Sequence, residues 1–274
     1  MTDYSRTQIL SGPRRTHVAY PQPDDLAATV WRFMDLAKLV SLLERRELFL
    51  PSVEILGDPH EGSMPLPSAE ARDAMFEEAE KLLEGAEPKE IRKLLGEAMN
   101  SNKRFMERLR RFTYVSCWHM NEHESEAMWR LYCTGRSGVA VCTTYAVLSN
   151  ATHLAVTNIG MVRYIDYASE NVGSNDLDEY AMHKRISFAH EREVRVVLKD
   201  MMSMFDRPRE NEEPKPFRPG VTIEIEPGSL IDAIHVYPYA ETWYKDSVQA
   251  AVGCLCPELV DRIVWSSIRT EPIF

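Results

Sequence analysis

Between Lys184 and Arg195 the chain reads KRISFAHEREVR. Glu191, Glu193 and Arg195 are two residues apart, so an extended chain projects all three to one side. Val194, Val196 and Leu198 then take the opposite side and are expected to face a core. Two carboxylates and a guanidinium in that order describe a site in which a carboxylate works beside an arginine that fixes its ionisation. They equally describe a ladder of charge along an exposed strand edge. The spacing leaves both readings open.

Other constellations carry less. Cys117, His119 and His123 could in principle share a zinc ion, but a zincin helix needs an acid directly after its first histidine, and Met120 stands there. Ser125 reads as a helix cap, which leaves both histidines in a loop, so no metal is expected. The five cysteines have no CxxC spacing and read as reduced and mostly buried. A nucleophilic serine has no Gly-x-Ser-x-Gly elbow, and the twelve glycines form neither a P-loop nor a dinucleotide fingerprint. Classical ATP, GTP and Rossmann NAD binding are therefore not expected. Lys103, Arg104, Arg108, Arg110 and Arg111 crowd one helix end. They form either a solvated face or a patch for a phosphate, protein or nucleic-acid partner.

The elements that must position these residues follow from pattern. Ala28–Met34 is apolar enough for a buried strand, with Asp35 as the cap of a helix on which Leu36, Leu39, Val40 and Leu43 recur at helical spacing. A second strand starts at Leu48, and Gly57–Gly62 is a turn. Ser68–Arg111 reads as helical throughout, an insertion of two or three helices punctuated by Gly85 and Pro88. Strands are expected at Phe112–Trp118, Val139–Thr144, Ile159–Tyr167, Val194–Leu198, Val221–Ile225, Ile231–Tyr237 and Asp261–Ile268. Helices carry Met128, Trp129 and Tyr132, then about Glu179–Ala189, then Tyr244, Val248 and Ala251. Met201–Gly220 holds four prolines and reads as a long loop. Short strands with irregular helices argue for one α+β domain over 1–274, a mixed and mainly antiparallel sheet with flanking helices.

Composition bounds the setting. The 274 residues contain 44% hydrophobic and 27% charged side chains, enough to bury a sizeable core. Lys plus Arg give 32 and Asp plus Glu 42, hence 32 − 42 = −10. A chain this acidic does not coat nucleic acid by bulk electrostatics. No apolar run approaches the length of a membrane span, and Met1–Tyr20 has no secretory pattern, so a cytoplasmic location without a membrane partner is expected.

Three segments in order resemble the bacterial family catalogued as domain of unknown function 2971. They are FLPSVEILGDPHE over Phe49–Glu61, then Tyr114–Trp118 with Met128-Trp129, Tyr132 and Gly138–Val141, then Lys184 with Phe188, Glu191, Glu193 and Arg195. The resemblance spans most of Val30–Ile268 and implies no activity by itself. A looser similarity is to ADP-ribosyltransferases of the Arg-Ser-Glu type. They carry an arginine on the first strand, a serine on the second after a helix, and a late Glu-x-Glu. Arg32, Ser52 and Glu191-Arg192-Glu193 match that order. The resemblance implies NAD as substrate, with Arg32 on a phosphate and Ser52 in the nicotinamide pocket. Glu193 would then stabilise an oxocarbenium-like state, and Glu191 would position or deprotonate an acceptor. Lys184, Arg195, Trp129 and Tyr132 complete the expected site. That arrangement requires Arg32, Ser52 and Glu193 around one pocket, and Arg32 and Glu193 on opposite sides of the sheet would end the transferase reading. Two alternatives use the same chain. One is a non-catalytic binding module built on Lys103–Arg111. The other is a metal-independent nuclease or phosphotransferase using Glu191, Glu193 and Lys184.

Overall fold

The branched aliphatic side chains of Val194, Val196 and Val197 favour an extended chain, and they form a strand inside the main sheet rather than at its edge. The computed structural model describes residues 17–82, 88–133, 135–154, 156–172, 178–205 and 217–270. Among these residues the main sheet has seven strands. In spatial order they are β11 (Ile263–Trp265), β10 (Ala233–Val236), β4 (Val139–Thr144), β1 (Thr29–Met34), β3 (Thr113–Met120), β8 (Glu193–Lys199) and β5 (Thr157–Met161). Every neighbouring pair is antiparallel except β10–β11. Two small sheets flank it. One pairs β2 (Glu47–Pro51) with β9 (Gly220–Glu224), and the other pairs β6 (Arg163–Ile165) with β7 (His183–Arg185) in parallel. The architecture is α+β, with a mixed, mostly antiparallel sheet flanked by helices.

The helices are α1 (Leu36–Arg45), α2 (Leu66–Leu82), α3 (Pro88–Arg111), α4 (Glu126–Tyr132), α5 (Tyr145–Ala151), α6 (Met201–Phe205), α7 (Pro227–Leu230) and α8 (Thr242–Leu255). Asp35 caps α1 as expected, its Oδ1 accepting from the Lys38 backbone N–H at 2.8 Å. Leu39, Leu42 and Leu43 bury the inner stripe of α1, which packs on α8. The helical insertion is a pair, α2 and α3, packed on each other. The break at Gly85 lies outside the described residues. No described helix is long and apolar enough to cross a membrane.

Several local expectations change. Ile159–Tyr167 divides into β5 and β6: β5 pairs with β8 as far as Met161, and Arg163–Ile165 pair with β7 instead. The helix expected over Glu179–Ala189 is two short 3-10 segments, Glu179–Met182 and Ile186–Glu191, separated by β7. Met201–Gly220 is not loop throughout: α6 opens it and buries Ser203 and Met204, while 206–216 lie outside the described residues.

The main sheet splits between β1 and β3. β1 pairs with β4 along all six residues but with β3 only at Val30↔Met120 and Trp31↔His119. Beyond Trp31 the strands part. β3 turns towards β2 instead, through a bridge between Tyr114 and Ser52.

Candidate functional site

The gap between β1 and β2, floored by β3, is a cleft of about 900 Å3. At one end lies a buried ionic box. Lys184 on β7 places Nζ 2.5 Å from Glu191 Oε2 and 3.4 Å from both Glu193 Oε1 and Glu61 Oε1. Arg195 on β8 is 0% exposed. Its Nε and Nη2 donate to Glu193 Oε2 at 2.9 and 2.6 Å, Nη1 donates to the Ala181 carbonyl at 2.9 Å, and Nη2 also pairs with Glu61. The charge ladder is therefore not an exposed edge: β8 lies between β3 and β5, and its charged face is enclosed. Charges this deep survive because each carboxylate meets a cation and each cation has several acceptors.

Local structure assembles the box. Glu191 ends the 3-10 segment rather than lying on the strand, and Arg192 takes a left-handed φ of 42° before β8 begins. That reversal, uncommon away from glycine, lets Glu191 and Glu193 meet Lys184 together. The Glu193 backbone N–H donates to Tyr164 Oη at 2.7 Å, tying β6 beneath the box. Glu61 arrives on the Gly57–Gly62 turn, which is held by an ion pair 3.0 Å long between Asp58 and Arg185. Gly160, paired with Arg195, lets the Tyr20 backbone cover this face: a Cβ there would stand 2.7 Å from Tyr20 Cα.

The two glutamates are driven apart in acidity. Burial pushes the Glu191 carboxyl up, and repulsion from Glu193 adds to it. Burial also acts on Glu193, but Arg195 and Lys184 outweigh it and hold that carboxylate below its ordinary range. Neighbouring carboxyls so divided are suited to one group exchanging a proton while the other stays charged. Cys117, also on the cleft wall, has its thiol pushed well up by burial and by Glu193, so it is no nucleophile at neutral pH.

Arg32 lines the same cleft beyond Trp118. Its Nη1 donates to Ser116 Oγ at 2.7 Å and Nη2 to the Phe49 carbonyl at 3.2 Å, and the guanidinium lies 5.8 Å over the Trp118 ring. Among the described residues no carboxylate pairs with it. Burial lowers its pKa to about 10, which leaves it cationic at neutral pH. An unpaired half-buried guanidinium on a cleft wall is an anion seat.

Other expected site residues fall elsewhere. Ser52 is fully buried outside the cleft lining: Oγ accepts from the Glu54 N–H and donates towards the Arg110 and Arg111 carbonyls, capping the 3-10 turn Val53–Ile55. Its place after Arg32 in sequence order reflects this cap, not a pocket. Trp129 is likewise core, 0% exposed, edge-on to Phe33 and Tyr237, with Nε1 bonded to Glu124. Tyr132 does line the cleft, near the box. The basic helix end is not one patch. Lys103 and Arg104 are exposed. Arg108 instead holds the Ser203 and Met204 carbonyls, Arg111 pairs with Glu54, and Arg110 packs by Gly62.

Register adds a constraint. His119 stands opposite both Trp31 and Glu193, so these three share one face of the sheet. Arg32 follows Trp31 and takes the other face, beside Ser116, which is opposite Val196. Arg32 and Glu193 thus reach one cleft from opposite faces, which ends the transferase reading. They do so because the sheet is open where β1 leaves β3.

Sequence reasoning passed over Glu61, Ser116 and Glu124. Glu61 had a signal in its Asp58-Pro-His-Glu turn, whereas Ser116 had none. Glu124 Oε2 accepts from Trp129 Nε1 at 3.0 Å, and Oε1 accepts from His235 Nδ1 at 3.1 Å and the Ser267 N–H at 2.7 Å, pinning α4 and hence Tyr132. Burial opposes its ionisation, but these donors bring its pKa from 4.5 to about 2. A depressed carboxyl stabilises the fold above its unfolded value and loses that contribution as pH falls through the folded one. Roughly 3 kcal/mol should vanish between pH 5 and 2. Thermal melts across that range should show the fall, and Glu124→Gln should flatten it; parallel acid limbs for both proteins would refute the assignment.

Comparison with protein-family models, curated proteins and solved structures found no match to this chain.

Proposed function

We propose that the cleft is the active site of an enzyme that breaks the N-glycosidic bond of NAD, passing ADP-ribose to water. The Arg-Ser-Glu transferase arrangement is not carried forward, because Arg32 and Glu193 lie on opposite faces of the sheet and Ser52 is a buried cap outside the cleft. The observation that carries the reading is a pair of adjacent carboxyls driven apart in acidity, on the same cleft as the unpaired cation Arg32. Heterolysis of the bond leaves positive charge on the ribose C1′ and returns an electron pair to nicotinamide. Glu193, held ionised, would stabilise that charge, as carboxylates do in glycoside hydrolysis. Arg32 would take the diphosphate. Because the two side chains reach the cleft from opposite faces of the sheet, the dinucleotide would lie extended along the gap between β1 and β2, over β3. Ser52 has no part in this reading. The likeness to the family of domain of unknown function 2971 belongs to the same proposal, as does a cytoplasmic setting; of the Arg-Ser-Glu likeness only the NAD substrate is retained.

The basic-helix binding module receives less support, since Arg108 and Arg111 are engaged with the body of the protein. NAD should raise the melting temperature of the wild type and be cleaved to free nicotinamide. Arg32→Gln should weaken NAD binding about tenfold or more, the range for losing a charge-assisted hydrogen bond. Absence of both a melting shift and nicotinamide release in the wild type would reject the reading.

A further inference from the structure

One nitrogen on the cleft wall is unaccounted for. His119, on β3 opposite Glu193, is 4% exposed and lines the cleft beside Trp31 and Phe33. Its Nδ1 lies 2.6 Å from the Glu191 carbonyl oxygen. A carbonyl oxygen only accepts, so Nδ1 carries the proton and Nε2 presents a lone pair. Among the described residues Nε2 meets no partner, although it is buried. Buried side-chain polar atoms are nearly always paired, so a bare acceptor on a cleft wall points to a donor brought by the occupant.

We propose that His119 is the catalytic base, its Nε2 taking a proton from the water that attacks C1′. This rests on the glycosidic reading above. It moves the base role from Glu191, which is held by Lys184 at 2.5 Å, to a lone pair that nothing else engages among the described residues. In the step, the C1′–N bond breaks and its electron pair passes to nicotinamide. The water oxygen forms the C1′–O bond, and one of its protons moves to Nε2 and leaves to solvent with the products. Nε2 is covered from solvent in the cleft wall, so the attacking water must enter beside the ring as the wall yields. The ring is ready to accept: burial lowers its pKa from 6.5, and the nearby Arg192 and His190 add to this against the Glu191 carbonyl bond. Glu193 faces it from β8, and Trp31 and Phe33 are the uncharged neighbours on β1.

His119→Asn tests this in the full chain, because an asparagine N–H can keep the bond to the Glu191 carbonyl while the Nε2 acceptor is lost. The expected result is a fall in nicotinamide release of about a hundredfold or more with the NAD-induced melting shift retained. The wild-type rate should decline on the acid side with a midpoint below 6.5, and the variant should lose that limb. Should His119→Asn fail to fold, His119→Gln and the wild-type pH profile serve. A variant that keeps the acid limb of the wild type, or one that cleaves NAD normally, overturns the base role and leaves the glycosidic reading standing. A wild type that neither binds nor cleaves NAD overturns both.

Discussion

Replacing Arg195 with methionine is expected to destabilise the protein by about 3–5 kcal/mol, the usual cost of removing one partner from a buried ion pair. The change strips Glu193 of two hydrogen bonds, Glu61 of one and the Ala181 carbonyl of another, all beneath a face closed to water. For a chain of this size that corresponds to a fall in melting temperature of roughly 10 °C. Adding Glu61→Gln and Glu193→Gln to the methionine variant should recover part of the loss, since the stranded charges are then neutral. Arg195→Lys should fall between, because a single ammonium cannot span Glu193, Glu61 and Ala181 at once. Thermal or denaturant unfolding decides the matter. An Arg195→Met protein within about 1 kcal/mol of wild type would mean that the box is not holding β8, β7 and the Gly57–Gly62 turn together.

Glu193→Gln carries the largest expected effect on activity. Nicotinamide release should fall about 10²- to 10³-fold, as when a group aimed at developing charge is neutralised. Glutamine fills the same volume and can still meet Lys184 or Arg195 through its carbonyl, while Arg195 keeps Glu61. NAD should therefore still raise the melting temperature of the variant. The contrast with Arg32→Gln is diagnostic: that change should act on binding and this one on the rate. A variant that releases nicotinamide within about threefold of wild type would remove Glu193 from the chemistry and leave the box a purely structural device.

The residues of the candidate site were unevenly legible in the chain. Val194, Val196 and Leu198 marked β8, and period-two alternation correctly put Glu193 and Arg195 on the opposite face. Asp35 and Ser125 announced their helices because capping is local chemistry. Glu191 was misplaced on the strand because nothing in the run His190-Glu191-Arg192-Glu193 signals a left-handed Arg192. Ser52 and Trp129 were misassigned for a shared reason: a cap and a core ring have the same residue types as a site.

Local pattern alone determined the α+β class, the mainly antiparallel strands, the helical insertion and the concentration of charged side chains in Lys184–Arg195, since each depends on neighbours within about a dozen residues. Whether that charge was surface or interior depended on which strands flank β8, and that is a matter of long-range pairing. The tertiary structure alone enclosed the box by bringing β3 and β5 to either side of β8 and Glu61 from 134 residues away. It alone opened the sheet after Trp31, so that Arg32 and Glu193 reach one cleft from opposite faces. It left His119 Nε2 without a partner among the described residues for the same reason: a lone pair is unpaired only with respect to what is folded around it.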